Sequence, residues 1–358
     1  MKKFTKICLV TAGVLFAVGL VFFLVFGMLD NFTHMSMLEN VQAKHNFPIK
    51  FHFVDGDHAE LDIFNYVMRA DTDGGDGYVM DIFDEEEWEE REQENDWEGS
   101  REAGKESEKI TYPKDEVKNL KLSMDACYLD IYTADSEDIE LIINKNNGEV
   151  KYGLDGDTLK LVDKHKNTKV WDFDMKNVPR IKLYLPKDIQ LEDAELEMGV
   201  SYFSSIPLEA EKITLNAGAG ECTIEGFTAE KADVIVGAGS VNIEDLKAED
   251  LTLDVGAGEL IVENFQVEDS VDISMGMGNA ELNGLLNGDM NLDCGMGSAV
   301  INLDGSYTDY NYTISCGMGN VSVGDSNIQS GDQHINNNAD YRMDIDCGMG
   351  NAEISFTE

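Results

Sequence analysis

From Val117 onward apolar and polar residues alternate through VKNLKLSMDACYLDIYTAD, DIELIINKNN, LKLVDK, RIKLYLPKDIQL and AELEMGVSYF, with breaks at Asn, Asp, Gly and Pro. Alternation with period two sends every second side chain to one face, so these segments predict half-buried strands. None of them reads as a long amphipathic helix.

Further on a G-x-G triplet recurs, at Gly218 and Gly220, Gly237 and Gly239, Gly256 and Gly258, Gly276 and Gly278, Gly295 and Gly297, Gly317 and Gly319, and Gly348 and Gly350. The first glycines are separated by 19, 19, 20, 19, 22 and 31 residues, and a degenerate copy at Met198-Gly199-Val200-Ser201 lies 19 residues earlier. A repeat of this length predicts a solenoid, because one unit cannot bury its apolar face without neighbours.

Aligning the copies on the first glycine gives five apolar columns, at five, three and one residues before it and at four and six after it. The column three before holds Leu215, Val234, Leu253, Ile273, Leu292, Ile314 and Ile345, and the column six after holds Ile224, Ile243, Val262, Leu282, Ile301, Val323 and Ile354. Each coil therefore reads as two short strands joined at a glycine corner, with identical positions stacked at about 4.8 Å.

The fourteen glycines read as structural turn residues that either accept positive φ or let coils approach closely. Phosphate and dinucleotide loops open a helix after a strand, and here a second strand follows each triplet. The calcium-binding nonapeptide pattern is absent as well. The middle residues Ala219, Ala238, Ala257, Met277, Met296, Met318 and Met349, and the preceding Cys294, Cys316 and Cys347, read as core fillers instead of a soft-metal site, since Met and free Cys both pack irregular interiors.

Ahead of the strands, Lys2, Lys3 and Lys6 precede an uncharged run from Ile7 to Leu29 that ends at Asp30. About 20 apolar residues span a bilayer as a helix, and the run is followed by no A-x-A cleavage site. Residues 7–29 are thus expected to be a retained transmembrane anchor, with residues 1–6 cytoplasmic and the remainder extracellular by the positive-inside rule. Residues 30–80 contain two strand-like pieces, Pro48 to Val54 and Glu60 to Met68, and have no assigned fold. Residues 81–109, with fourteen acids against four bases, read as an acidic spacer carrying Trp88 and Trp97. Residues 110–358 are the expected all-β domain, a parallel β-helix-like solenoid.

Composition narrows the chemistry. The net charge of −43, from 27 Lys+Arg against 70 Asp+Glu, repels phosphate backbones and excludes nucleic acid as a natural partner. Cys8, Cys127, Cys222, Cys294, Cys316 and Cys347 form no CxxC pair, and Cys294 and Cys316 are expected as buried free thiols in neighbouring coils. His34, His45, His52 and His58 are spaced by 11, 7 and 6, which matches no metal-ligand pattern. No cofactor, metal or catalytic residue is assigned.

The opening LKLSMDACYLDIYTADSEDIEL, the RIKLYLPKDIQL strand and the serial GAG and GMG coils resemble a bacterial family of adhesin-type proteins of unknown function, the DUF4097 type. The resemblance covers roughly residues 117–358 and implies a β-helix-like surface domain of Firmicutes behind a transmembrane segment. It supplies no site residues. The segment Gly324 to Tyr341 departs from the regular array and is expected as a protruding loop or an edge cover.

The functional expectation is a noncatalytic, membrane-anchored surface module for adhesion, binding or envelope scaffolding, whose partner is an extracellular ligand, a basic peptide or an envelope protein. One alternative is an envelope-stress sensor that captures cationic ligands. Another is a β-helix carbohydrate-active enzyme, disfavoured because the turns are minimal and Lys212, Lys231, Lys247 and Arg342 stand isolated.

Overall fold

The computed structural model describes residues 49–54, 58–63, 66–71, 79–81, 97, 100–103, 107–144, 150–163 and 178–357. The anchor segment 7–29, Cys8, His34, His45 and Trp88 lie outside the described residues. Among the described residues no helix is long and apolar enough to cross a membrane.

Strands Ile49–Val54, His58–Ile63, Tyr66–Asp71 and Val79–Asp81 form a four-stranded antiparallel sheet in sequence order. The piece expected as one strand from Glu60 to Met68 is thus a hairpin. His52 stands in register with Glu60, and His58 with Val54.

The main domain is a stack of parallel coils, here numbered as rungs by position in the stack. Rung 1 is formed by Thr158–Asp163 and Arg180–Leu185, rung 2 by residues 119–133 and rung 3 by residues 191–205. Rungs 4 to 8 follow in chain order, at residues 212–228, 231–248, 250–267, 270–286 and 289–304. Rung 9 is residues 341–357, and rung 10 is the earlier segment 310–323.

The order of the rungs departs from the chain order at both ends. Strand Tyr341–Cys347 lies between Asp289–Cys294 and Tyr310–Cys316, and Asn351–Thr357 lies between Ser298–Asp304 and Asn320–Val323. At the other end, residues 119–133 lie between rung 1 and rung 3. The long interval before Gly348 is the detour this needs: the chain builds rung 10, turns through a hairpin, then returns to fill rung 9. Strands Gly331–Ile335 and Ser326–Ile328 of that hairpin pair antiparallel with rung 10, so the segment is an edge cover.

Antiparallel strands also close the opposite end. Val150–Asp155 covers one side of rung 1, and Asp138–Asn144 with Glu108–Pro113 covers the other. Both open edges, which would otherwise template aggregation, are thereby paired. Arg101–Glu102 pairs with Val150–Asp155, and Trp97 is buried. The 24-stranded sheet of the main domain therefore begins inside the stretch read from sequence as a spacer.

All five apolar columns face the interior. A third inward side, which two-strand coils would lack, is contributed by Leu208, Phe227, Leu246 and Phe265 and by Ala248, Val267 and Leu286. An exposed residue such as Glu244 separates this side from the second strand, resetting the alternation.

The two reasons offered for the triplet glycines, positive φ and close approach, are separated by the structure. None of the fourteen has a positive φ, so the dihedral reason is withdrawn for all of them. Approach explains most of them instead. A Cβ built on Gly239 would stand 2.7 Å from the Gly220 carbonyl oxygen, and one on Gly350 would stand 2.5 Å from the Gly297 oxygen. At Gly258, Gly278, Gly319 and Gly350 the added atom would meet both the neighbouring rung and the core, on Gly350 at 2.7 Å from Cys294 Sγ. On Gly258 it would overlap the Gly239 oxygen and stand 2.9 Å from the Val236 side chain. On Gly278 it would overlap the Gly258 oxygen and stand 2.7 Å from Val255, and on Gly319 it would overlap the Gly350 oxygen and stand 3.0 Å from Cys347 Sγ. These four are packing glycines, not turn residues in the left-handed sense. The corner is a stack of backbone against backbone, and a side chain would push the rungs apart.

Candidate functional site

In the first strand of each rung, the residues between the inward columns point outward and form ladders along the stack. One ladder runs Lys121, Glu195, Thr214, Asp233, Thr252, Asp272, Asn291, Asp344 and Thr313. From Asp233 onward carboxylates alternate with neutral hydrogen-bonding groups. Like charges directly opposite across a sheet are destabilising, so alternation is how so acidic a chain can stack in register.

The neutral groups also solvate the acids. Asn291 Nδ2 donates to Asp272 Oδ1 at 2.6 Å, Ser270 Oγ donates to Asp250 Oδ1 at 2.6 Å, and Ser123 Oγ donates to Glu197 Oε2 at 2.6 Å. Cations are few along this face: Lys121 meets Glu195 at 3.2 Å, Lys212 and Lys231 stand 3.7 and 3.9 Å from Asp233, and Arg342 meets Asp344 at 3.2 Å. Partial burial raises the Asp254 carboxyl above its ordinary pKa, Asp233 nearby adds to the rise, and a hydrogen bond from Ser274 opposes it. Burial likewise raises Glu195, where Lys121 opposes the shift and Glu197 supports it. The face is thus an array of carboxylates whose negative potential is incompletely neutralised.

On the second strands of rungs 1 to 3 the outward residues differ in kind. Arg180, Tyr128 and Tyr202 stand in one row, and Lys182, Asp130 and Ser204 in the next. The Tyr128 and Tyr202 rings stack at 5.1 Å with 8° between planes, Arg180 lies 4.5 Å from the Tyr128 centroid, and Tyr132 stacks on Tyr184 at 5.2 Å. Because the rings stack along the ladder, they reinforce register, while Tyr202 stays 45% exposed.

A cleft of about 420 Å³ opens near the point where rung order breaks, lined by Asp304, Asp309, Asn338, Asp340, Tyr310 and Tyr341 among others. Tyr310 donates to the Leu286 carbonyl oxygen at 2.6 Å, and burial pushes its phenol up to about 12. That phenol is structural.

The glycine edge holds a second correction to the sequence reading. Cys294, Cys347 and Cys316 are buried and not in disulfides, as are Cys127 and Cys222, but Cys347 sits between Cys294 and Cys316, which are therefore not neighbours. The middle residues of the triplets are not core fillers. Met277, Met296, Met349 and Met318 are 41%, 40%, 43% and 78% exposed. The residue before the first glycine points in, the corner turns the chain, and the middle residue projects from the apex. Among the described residues no group of three or more His, Cys, Asp or Glu is placed to hold a metal ion.

No curated protein matches the chain. Among solved structures it is similar to a candidate adhesin of Bacteroides fragilis NCTC 9343, at 17% identity and a TM-score of 0.43 over 70% of this chain and 98% of that one. A candidate lipid-binding protein of Parabacteroides distasonis ATCC 8503 is similar at 14% identity and a TM-score of 0.35, over 69% of this chain and 96% of that one. A candidate cell adhesion protein of Clostridium sporogenes ATCC 15579 is similar at 13% identity and a TM-score of 0.24, over 72% and 100%. A family model described as Toastrack DUF4097 matches residues 117–355, which is more than half of the chain, and the chain belongs to that family.

Proposed function

We propose that this protein is a noncatalytic binding module, displayed on the outer side of a membrane by residues 7–29, whose acidic ladder face takes a cationic ligand such as a basic peptide segment. The observation that carries the reading is the ladder itself. Asp233, Asp272 and Asp344 recur along one flat face with Thr252 and Asn291 between them, giving a stiff row of anionic groups at every second rung. Strand spacing of about 4.8 Å puts successive acids roughly 10 Å apart along Asp233, Thr252 and Asp272. A flexible basic peptide can meet several of them at once, and the rigid face loses little entropy on binding. The net charge of −43 adds long-range attraction that speeds encounter.

The test is binding of the soluble chain from Asp30 onward to Lys-rich peptides, neutral glycans and whole cells. The triple variant Asp233→Asn, Asp272→Asn, Asp344→Asn should bind the peptides at least tenfold more weakly while keeping its unfolding midpoint. Binding should also weaken steeply with salt, since exposed charges are screened beyond about 8 Å at physiological ionic strength. Tight binding that survives both high salt and the triple variant would refute the electrostatic reading.

A further inference from the structure

We propose that the glycine edge of rungs 7 to 10 is a binding site for a soft monovalent cation, Cu(I) or Ag(I), held between neighbouring thioethers of the row Met277, Met296, Met349 and Met318. Those four methionines occupy one line. Met296 N donates to the Gly276 carbonyl at 2.8 Å, Met349 N to Gly295 at 2.7 Å, and Met318 N to Gly348 at 2.8 Å, so each follows its neighbour in register. In the sequence Met318 precedes Met349; the threading of rung 9 between rungs 8 and 10 is what makes the row continuous.

The corner does not need methionine for its own construction. At the same position rungs 4, 5 and 6 carry Ala219, Ala238 and Ala257, with the same ladder bonds from Ala238 N to Gly218 at 2.7 Å and Ala257 N to Gly237 at 2.8 Å. Packing is no explanation either, because the side chains are 40% or more exposed. Four solvent-facing thioethers on adjacent rungs thus stand where alanine would serve the fold.

The spacing suits the chemistry. Metal–sulfur bonds are about 2.3 Å, so two sulfurs flanking one ion in linear coordination stand roughly 4.6 Å apart. Neighbouring strands are about 4.8 Å apart, and the three rotatable bonds of Met close that difference without moving the backbone. Thioether donors select Cu(I) over the hard cations that carboxylates favour. Three residues before Met296 and Met349, Asp293 and Asp346 are direct register partners, which concentrates negative potential beside neutral ligands. The cysteines are a separate layer: Cys294, Cys347 and Cys316 are buried, and Cys294 Sγ donates to the Gly297 carbonyl oxygen at 3.6 Å.

The experiment uses the full-length chain in detergent, titrated anaerobically with Cu(I) against a chromogenic Cu(I) chelator, and with Ag(I) while methyl-labelled Met resonances are followed. The expected result is saturable binding in which the methyl signals of these four methionines shift and Zn(II) or Ca(II) moves none of them. Met296→Leu with Met349→Leu should lower Cu(I) affinity at least tenfold and leave the unfolding midpoint unchanged, since the replaced side chains are exposed. Cys294→Ala with Cys347→Ala should still show the Ag(I)-induced methyl shifts. No saturable binding by the wild type, equal affinity in the double leucine variant, or methyl shifts that depend on the cysteines would each overturn the proposal.

Discussion

Replacing Gly239 with alanine adds one methyl group at a solvent-side corner, yet it should be among the more damaging small changes in the molecule. The new Cβ would lie 2.7 Å from the Gly220 oxygen and 2.8 Å from the Gly220 nitrogen, both under the 3.0 Å that real Cβ atoms respect. Both obstacles are backbone, so no side chain can rotate away, and rungs 4 and 5 must separate by a few tenths of an ångström. Three ladder bonds cross at this corner: Ala238 N to Gly218 at 2.7 Å, Gly239 N to Gly218 at 3.1 Å and Ser240 N to Gly220 at 2.9 Å. Overpacking of this kind costs about 1–3 kcal/mol. Weakening one or two of the bonds adds about 1 kcal/mol each. The stiffer unfolded chain returns about 0.4–1 kcal/mol. A net loss of about 2–4 kcal/mol remains, or roughly 4–16 °C in thermal midpoint for a domain of this size. The control is Ala238→Met, which alters the neighbouring apex residue to the one used in rungs 7 to 10 and should stay within about 0.5 kcal/mol of wild type. Circular dichroism melts of both variants decide the matter. A Gly239→Ala protein as stable as wild type would show that close approach is not why glycine occupies the corner.

Ile243 is fully buried in the central rungs, so Ile243→Asp places an unpaired carboxylate in the core and should cost several kcal/mol, on the order of 4 or more, seen as loss of the cooperative denaturation transition; the exposed Glu244→Gln should leave it intact. Burial raises the Glu195 pKa in the folded state, so the native protein holds that proton more readily than the unfolded chain, and stability falls as pH rises through the window between the ordinary and the raised value. Glu195→Gln should therefore raise the melting temperature at pH 7 and shrink the gain seen on acidification; a variant less stable than wild type at pH 7 would contradict this. Cys222 is buried, with its thiol pushed up to about 12 by that burial, so it should resist alkylation in native buffer and react once denaturant is added, as read by mass spectrometry.

What the sequence discloses and what it hides have physical causes that individual residues make plain. Leu253 and Ile243 are legible as core because parallel stacking repeats the same environment at a fixed interval. Phe227, Leu246 and Phe265 escape because a non-alternating residue before them shifts the phase, so that period-two counting from the glycine loses register. Met277 and Met296 are misplaced by the same counting for a related reason. Alternation holds along a strand but not around an apex, where the inward residue before the first glycine and the outward one after it belong to two different faces. Gly258, Gly278 and Gly319 show a further limit, since a repeated glycine announces a special backbone position without saying whether a dihedral angle or a neighbour's carbonyl requires it. The rung order is invisible because every coil presents the same columns, and nothing in Met343 or Ile345 distinguishes a rung that follows rung 10 from one that slips in beneath it.

Charge does not supply the discrimination that apolar columns lack. With the rungs stacked in chain order, Ser315 would stand against Asp293; in the observed order Asp346 takes that place and Ser315 moves one rung outward, beside Asp346. Two carboxylates in direct register are unfavourable, so the interposed rung is not selected by electrostatics at this position. What favours it is the edge: the interposed strands Tyr341–Cys347 and Asn351–Thr357 pair on both sides, and the outermost rung keeps the hairpin that covers it. A last coil added outside rung 10 would displace that cover and leave the final strands paired on one side alone. The fold accepts one like-charge contact at Asp293 and Asp346 in exchange for a closed edge.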